Sequence, residues 1–67
     1  MLVEFTLSIN GNRVSVNPSN VNCVYGDKDN EAKSYIEMAG YSEDQALKVI
    51  GTPAEVAAKL NGAEVAK

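Results

Sequence analysis

The chain contains no histidine, no tryptophan and a single cysteine among its 67 residues. Histidine is the commonest general base and metal ligand near neutral pH, so its absence argues against most metal centres and acid–base sites. One cysteine excludes a disulfide within the chain and favours a reducing compartment. No apolar run approaches the roughly 18 residues of a membrane-spanning helix, and no signal peptide is recognisable. We therefore expect a cytoplasmic protein with no membrane attachment.

The length permits one domain with a thin margin of stability. A chain of this size buries about 60% of its unfolded surface, and such a core rarely supplies more than about 3–5 kcal/mol. The apolar content of 45% and the charged content of 22% are typical of a globular domain. Six basic residues against nine acidic ones, with a pI near 4.6, provide no basic face for a phosphate backbone. A nucleic-acid partner is therefore not expected.

The first 17 residues predict a β-hairpin. Apolar and polar residues alternate from Val3 to Ile9 and again from Arg13 to Asn17, as in strands with one buried face. Asn10-Gly11 between them is a strong signal for a two-residue type I′ turn. Such a turn places two apolar pairs opposite each other: Leu7 with Val14, and Phe5 with Val16.

Three further strands are predicted before the last helix. Pro18 ends the second strand and begins a turn, and residues 21–25 form a third strand. Residues 32–38 alternate in polarity and predict a fourth strand, with a helix as the alternative. Residues 42–45 resemble a helix capping box, but the residues that follow favour a strand over 45–50, which we prefer.

The carboxyl-terminal part of the chain predicts one short helix. It opens with a capping box around a proline at the first helical position, formed by Thr52, Pro53 and Glu55. Val56 and Leu60 are four residues apart and are predicted to lie over the sheet. Asn61-Gly62 is predicted to end the helix, which leaves residues 63–67 as a frayed tail.

Together these elements predict an α+β fold, with a small antiparallel sheet of 4–5 strands and one C-terminal helix, in a single domain over residues 1–62. The order of elements and their turn residues resembles the FlbD-type small proteins of flagellar operons and similarly patterned short bacteriophage proteins. The matching residues are Asn10-Gly11, Val14, Val16-Asn17-Pro18, Val21, Ile36, Val49 and Pro53-x-Glu55-Val56. The resemblance implies this fold and a phage-type origin, and it implies no catalytic residues.

Four side chains are candidates for a protein interface: Arg13, Tyr25, Tyr35 and Tyr41. Tyrosine and arginine are enriched at the centres of interfaces because they offer large contact areas. If Ile36 faces the core, Tyr35 lies on the opposite side of its strand, beside Lys33 and Glu37. Each candidate also has a plain structural interpretation, such as a tyrosine that partly covers a sheet edge.

No residue pattern supports a catalytic, metal or cofactor site. Cys23 lies in a predicted strand without a basic neighbour, so we interpret it as a small sheet or core residue. The acidic residues from Asp27 to Glu31 lack the spacing of a calcium loop and predict a solvated turn. The glycines are too scattered for a phosphate-binding loop. We therefore expect a protein that is not an enzyme and holds no cofactor.

Three functional hypotheses follow. The first is a small phage-type accessory protein that binds and modulates a host or partner protein, in the host cytoplasm if it is phage-encoded. The second is a structural, self-assembling subunit, and the third is a small-ligand sponge, for instance for nucleotides, with its pocket between subunits. One helix cannot cover a sheet of five strands, so the uncovered apolar surface predicts a dimer or a larger homo-oligomer.

Overall fold

The computed structural model describes residues 2–65. Along the chain it contains β1 (Val3–Thr6), β2 (Arg13–Val16), β3 (Val21–Asp27), β4 (Asn30–Met38), β5 (Leu47–Ile50) and α1 (Pro53–Val65). Two short 3-10 turns precede β3 and β5, at Pro18–Asn20 and Glu43–Gln45. The fold is α+β, as predicted. However, the five strands form two antiparallel sheets, β1-β2 and β3-β4-β5, where the sequence predicted one.

The two sheets meet at one corner. Leu7, just after β1, forms an isolated antiparallel bridge with Val49 of β5. The N–H of Ser8 donates to the carbonyl of Lys48 at 2.9 Å. The chain turns away directly after these two residues, so the pairing between β1 and β5 stops there. This short contact is the physical reason why the predicted single sheet is interrupted.

The amino-terminal hairpin is present, but its register lies two residues away from the predicted one. Phe5 is opposite Val14, and Val3 is opposite Val16. Because side chains alternate between the two faces of a strand, a shift of two residues leaves each one on its predicted face. Val3, Phe5 and Val16 are accordingly buried. The predicted pairs of Leu7 with Val14 and of Phe5 with Val16 are wrong.

The loop of the hairpin accounts for this shift. A four-residue loop joins Leu7 to Asn12, and the Leu7 N–H donates to the Asn12 carbonyl at 2.7 Å. Gly11 has a φ of 74°, but no non-glycine residue in the described part of the chain has a positive φ. Asn10 therefore does not adopt the type I′ conformation. Ile9 lies in the loop and is 88% exposed, so it does not continue the buried face.

The sequence between residues 42 and 50 contains a capping box and a strand pattern, and the structure has both a short 3-10 turn and a strand there. The Gln45 N–H donates to the Ser42 carbonyl at 3.0 Å, which closes the 3-10 turn, and Gln45 Oε1 accepts the Ser42 N–H at 3.1 Å. β5 begins only at Leu47, so the preferred strand is confirmed but Gln45 and Ala46 are not part of it. β4 is a strand, which settles the earlier helix alternative.

The helix α1 begins where the sequence predicts. The Thr52 N–H donates to Glu55 Oε1 at 2.9 Å, and the Glu55 N–H donates to Thr52 Oγ1 at 3.1 Å. These two reciprocal bonds form the capping box and satisfy N–H groups that a helix start otherwise leaves free.

The helix ends later than predicted. It continues through Gly62 to Val65, so the prediction that Asn61-Gly62 ends it is wrong. Gly62 is not among the glycines with a positive φ, so the left-handed conformation that commonly stops a helix is not used there. The frayed tail over 63–67 stays a prediction, and residues 66 and 67 lie outside the described residues.

The core lies between the three-stranded sheet, the hairpin and the helix. Its buried apolar side chains are Val3, Phe5, Val16, Ile36, Val49, Val56 and Leu60. Val56 and Leu60 of α1 cover the sheet as predicted. Gly26 lets the start of the helix approach closely, because a Cβ there would lie 3.1 Å from Pro53 Cγ. One face of β3, β4 and β5 is thus used for the core, and the other face points away from it.

Candidate protein-contact face on the three-stranded sheet

The outward side of β3, β4 and β5 carries two tyrosines and several charged side chains. Ser34 and Ile36 of β4 are fully buried, so the residues that alternate with them point outward. We call this surface the tyrosine face and define it by Cys23, Tyr25, Lys33, Tyr35, Glu37 and Lys48. Tyr35 lies between Lys33 and Glu37 on this side, as the alternation predicts.

The two tyrosines form an ordered aromatic pair at the centre of the face. Tyr25 and Tyr35 are directly opposite each other on β3 and β4, and their rings stack with centroids 5.3 Å apart at an angle of 21°. Lys48 is opposite Tyr35 on β5, and its Nζ lies 5.6 Å from the centroid of that ring. These contacts restrict the rotamers of both tyrosines, so the pair is ordered in the free chain.

A partly buried ion pair fixes Lys48 in this position. Its Nζ lies 2.8 Å from Asp27 Oδ2, and the Asp27 side chain is only 7% exposed. The hydrogen bond from Lys48, followed by one from the Asp29 N–H, holds the pKa of Asp27 below its ordinary 3.8. The same bond from Asp27 is the main cause that raises the pKa of Lys48 above 10.5. Both groups therefore stay charged across the neutral range.

The negative end of the face is organised by Glu37. Its Oε2 accepts hydrogen bonds from Asn22 Nδ2 at 3.0 Å and from Cys23 Sγ at 3.4 Å. Partial desolvation, followed by the bond to Glu37 and its charge, raises the pKa of the Cys23 thiol. A thiol in this state is mostly protonated and a poor nucleophile. Cys23 is a sheet residue, as predicted, but it lies at the surface and not in the core.

The other two predicted interface residues lie away from the tyrosine face. Arg13 is on the hairpin, where its Nη1 lies 3.5 Å from Glu4 Oε1 and both side chains are mostly exposed. Tyr41 is 59% exposed in the loop after β4, and it lines an open groove of about 310 Å³ with Met38 and Leu47 among its neighbours. The structure therefore brings together two of the four candidates.

Sequence reasoning missed Asp27 and Lys48. The acidic loop predicts a solvated turn, whereas the Asp27 carboxylate is nearly buried against the lysine. The two residues are far apart along the chain, and only the register of β4 with β5 places Lys48 beside Tyr35. The alternation of polar and apolar residues along β4 predicted Lys33 and Glu37 as neighbours of Tyr35, but it carries no information about residues on other strands.

Other kinds of site find no support in the described residues. Among the side chains that the structure describes, no three cysteine or acidic ones are grouped so that they could hold a metal ion. No helix in this part of the chain has the length and apolar character to cross a bilayer. Comparisons with protein-family models, with curated proteins and with solved structures find no match to this chain. The feature of the described residues that bears on function is therefore the tyrosine face, with its stacked rings and its charged side chains.

Proposed function

We propose that the protein is a small non-enzymatic accessory protein, of the phage type, that binds and modulates a host or partner protein through its tyrosine face. The observation that carries this proposal is the stacked pair of Tyr25 and Tyr35 on the side of the sheet that points away from the core. Tyrosine is enriched at interfaces because it contributes a large contact area at a small cost in rotamer entropy.

The surroundings of the pair also suit protein contact. Charged side chains of both signs surround the rings, with Lys33 and Lys48 positive and Glu37 negative. Interfaces commonly combine an aromatic centre with a polar rim of this kind. The resemblance to short bacteriophage proteins supports an accessory role in the host cytoplasm.

The test compares protein capture by the wild type and by Tyr35→Ser. The immobilised wild-type chain should retain a stoichiometric partner from bacterial lysate, and titration with that purified partner gives the affinity. We expect Tyr35→Ser to weaken binding by about tenfold or more, as for the loss of an aromatic anchor.

Tyr41→Ser is the matched control, because it removes an exposed tyrosine that lies off the tyrosine face. It should bind the partner as the wild type does. The proposal fails if the wild type retains no stoichiometric partner, or if Tyr35→Ser binds with unchanged affinity while circular dichroism shows that it is folded.

A structural, self-assembling subunit is the second candidate function. One observation favours it: the outward charges of β4 have opposite signs on the two sides of Tyr35. A surface with this pattern is complementary to a copy of itself that is turned around.

A further inference from the structure

We infer that the tyrosine face binds a second copy of this chain, so that two three-stranded sheets pack face to face in a symmetric dimer. The inference rests on the proposed function, since it names an occupant for the same contact surface. It is based on two charged side chains of this face, Lys33 and Glu37. If the face were buried against an uncharged surface, neither of them would have an ion-pair partner.

The outward residues of β4 run in the order positive, aromatic, negative: Lys33, Tyr35, Glu37. On a strand, residues four positions apart are separated by about 13 Å, so the two charged groups do not meet within one chain. A twofold axis above Tyr35, parallel to the sheet and perpendicular to β4, reverses this order in the second copy. Lys33 of each copy then faces Glu37 of the other, and the two Tyr35 rings face each other.

Among the charged side chains of the face, only Lys48 has an ion-pair partner within the described part of its own chain. Lys48 is held by Asp27 at 2.8 Å and needs no further anion when the face is covered. Glu37 uses Oε2 for its bonds to Asn22 and Cys23, which leaves Oε1 for a cation. The Lys33 ammonium forms no hydrogen bond or ion pair with the described residues, and its charge acts on Asp27 only without such a contact. Burial of an unpaired charge is costly, and the twofold arrangement pairs the charge of each sign that remains.

The small size of the surface limits the strength of the contact. Three strands spaced about 4.8 Å apart form a narrow patch, and two such faces pack about 10 Å apart in aligned sheets. We expect the buried area to lie near the lower limit for specific interfaces, about 1,000 Å² in total. The dimer should therefore depend on concentration, with a dissociation constant in the micromolar range.

Charge reversal at Lys33 and Glu37, on the two sides of Tyr35 in β4, tests the arrangement. In sedimentation between about 10 µM and 1 mM, the wild-type mass should rise from 7.1 kDa towards twice that value. Lys33→Glu alone, or Glu37→Lys alone, turns two attractive contacts into two repulsive ones, and each should weaken the dimer by about tenfold or more. The double variant K33E/E37K exchanges the charges and should restore it.

Lys28→Glu and Asp29→Lys serve as controls, since they make the same charge changes in the β3–β4 turn. Both should dimerise as the wild type does. The inference is overturned if the wild type stays at 7.1 kDa at the highest concentration. It is also overturned if both single variants at Lys33 and Glu37 dimerise as tightly as the wild type.

Cross-linking of the unaltered chain gives an independent measurement. A carbodiimide joins an amine to a carboxylate without a spacer, so Lys33 and Glu37 can be joined only between two copies. We expect this cross-link in the dimer band and not in the monomer band. A dimer band without it overturns the arrangement.

The two proposals can fail separately. If the wild type is monomeric and Tyr35→Ser still loses the captured partner, the dimer is wrong and the proposed function stands. If the charge-reversal series behaves as expected but Tyr35→Ser binds the captured partner normally, the dimer stands and the proposed function is wrong.

Discussion

Ser34 is a buried polar residue whose side-chain hydrogen bond joins β4 to the segment between β5 and α1. It is fully buried, and its Oγ donates to the carbonyl of Gly51 at 2.7 Å. We predict that Ser34→Ala lowers the free energy of unfolding by about 1–2 kcal/mol, because the buried bond is lost and the half-buried carbonyl of Gly51 loses this donor. Urea denaturation measures the change. Ser15→Ala, on the exposed side of β2, should have no measurable effect, and equal stability of the two variants would contradict this role.

At the residue scale, the sequence predicts which side of a strand a residue occupies but not what it touches. Alternation along β4 placed Tyr35 outward with Ser34 on the other side. The acceptor of Ser34 lies 17 residues further along the chain, and the stacking of Tyr25 on Tyr35 depends on the register of β3 with β4. Such contacts follow from strand pairing, which local patterns do not specify.

The capping box of α1 makes the stability of that element depend on pH. Hydrogen bonds from the Thr52 N–H and from its side chain hold the pKa of Glu55 below its ordinary 4.5. A lowered pKa in the folded state means that the carboxylate stabilises the fold above its unfolded pKa, and that this contribution is lost as the pH falls through the lower, folded value.

We predict that Glu55→Gln is less stable than the wild type at pH 7 and that the difference disappears in acid. Urea titrations at a series of pH values measure it, and the two stabilities should converge as the pH falls below 4.5. Glu31→Gln is the control because that side chain is exposed and lies outside the capping box, so the substitution should leave the stability close to that of the wild type. A difference that persists unchanged in strong acid would contradict the assignment.

At the element scale, the strands and the helix start were predictable because each has a local cause, either alternation or a capping residue. The hairpin register was not, since it depends on the four-residue loop that joins Leu7 to Asn12 instead of the two-residue turn that Asn10-Gly11 predicts. The helix end was not predictable either, because Gly62 permits the stop conformation but does not impose it. Local signals permit these outcomes, and packing selects among them.

At the scale of the whole molecule, two sheets share one core. The hairpin contributes Val3, Phe5 and Val16, and the three-stranded sheet contributes Ile36 and Val49. Composition predicted a single small core, but not its division between two sheets, because the same apolar alternation suits one sheet or two. Since neither sheet buries its apolar side without the other, we expect both to unfold together.

Phe5→Leu tests this cooperativity, because Phe5 is 4% exposed and lies in the hairpin, whereas all three tyrosines lie in or next to the other sheet. We predict that the variant loses about 1 kcal/mol and that tyrosine fluorescence and far-UV circular dichroism shift to the same lower urea midpoint. Ile9→Ser, in the exposed loop, should leave both midpoints unchanged. If dichroism detects an earlier transition while the tyrosine signal stays in place, the hairpin unfolds alone and the shared core does not couple the two sheets.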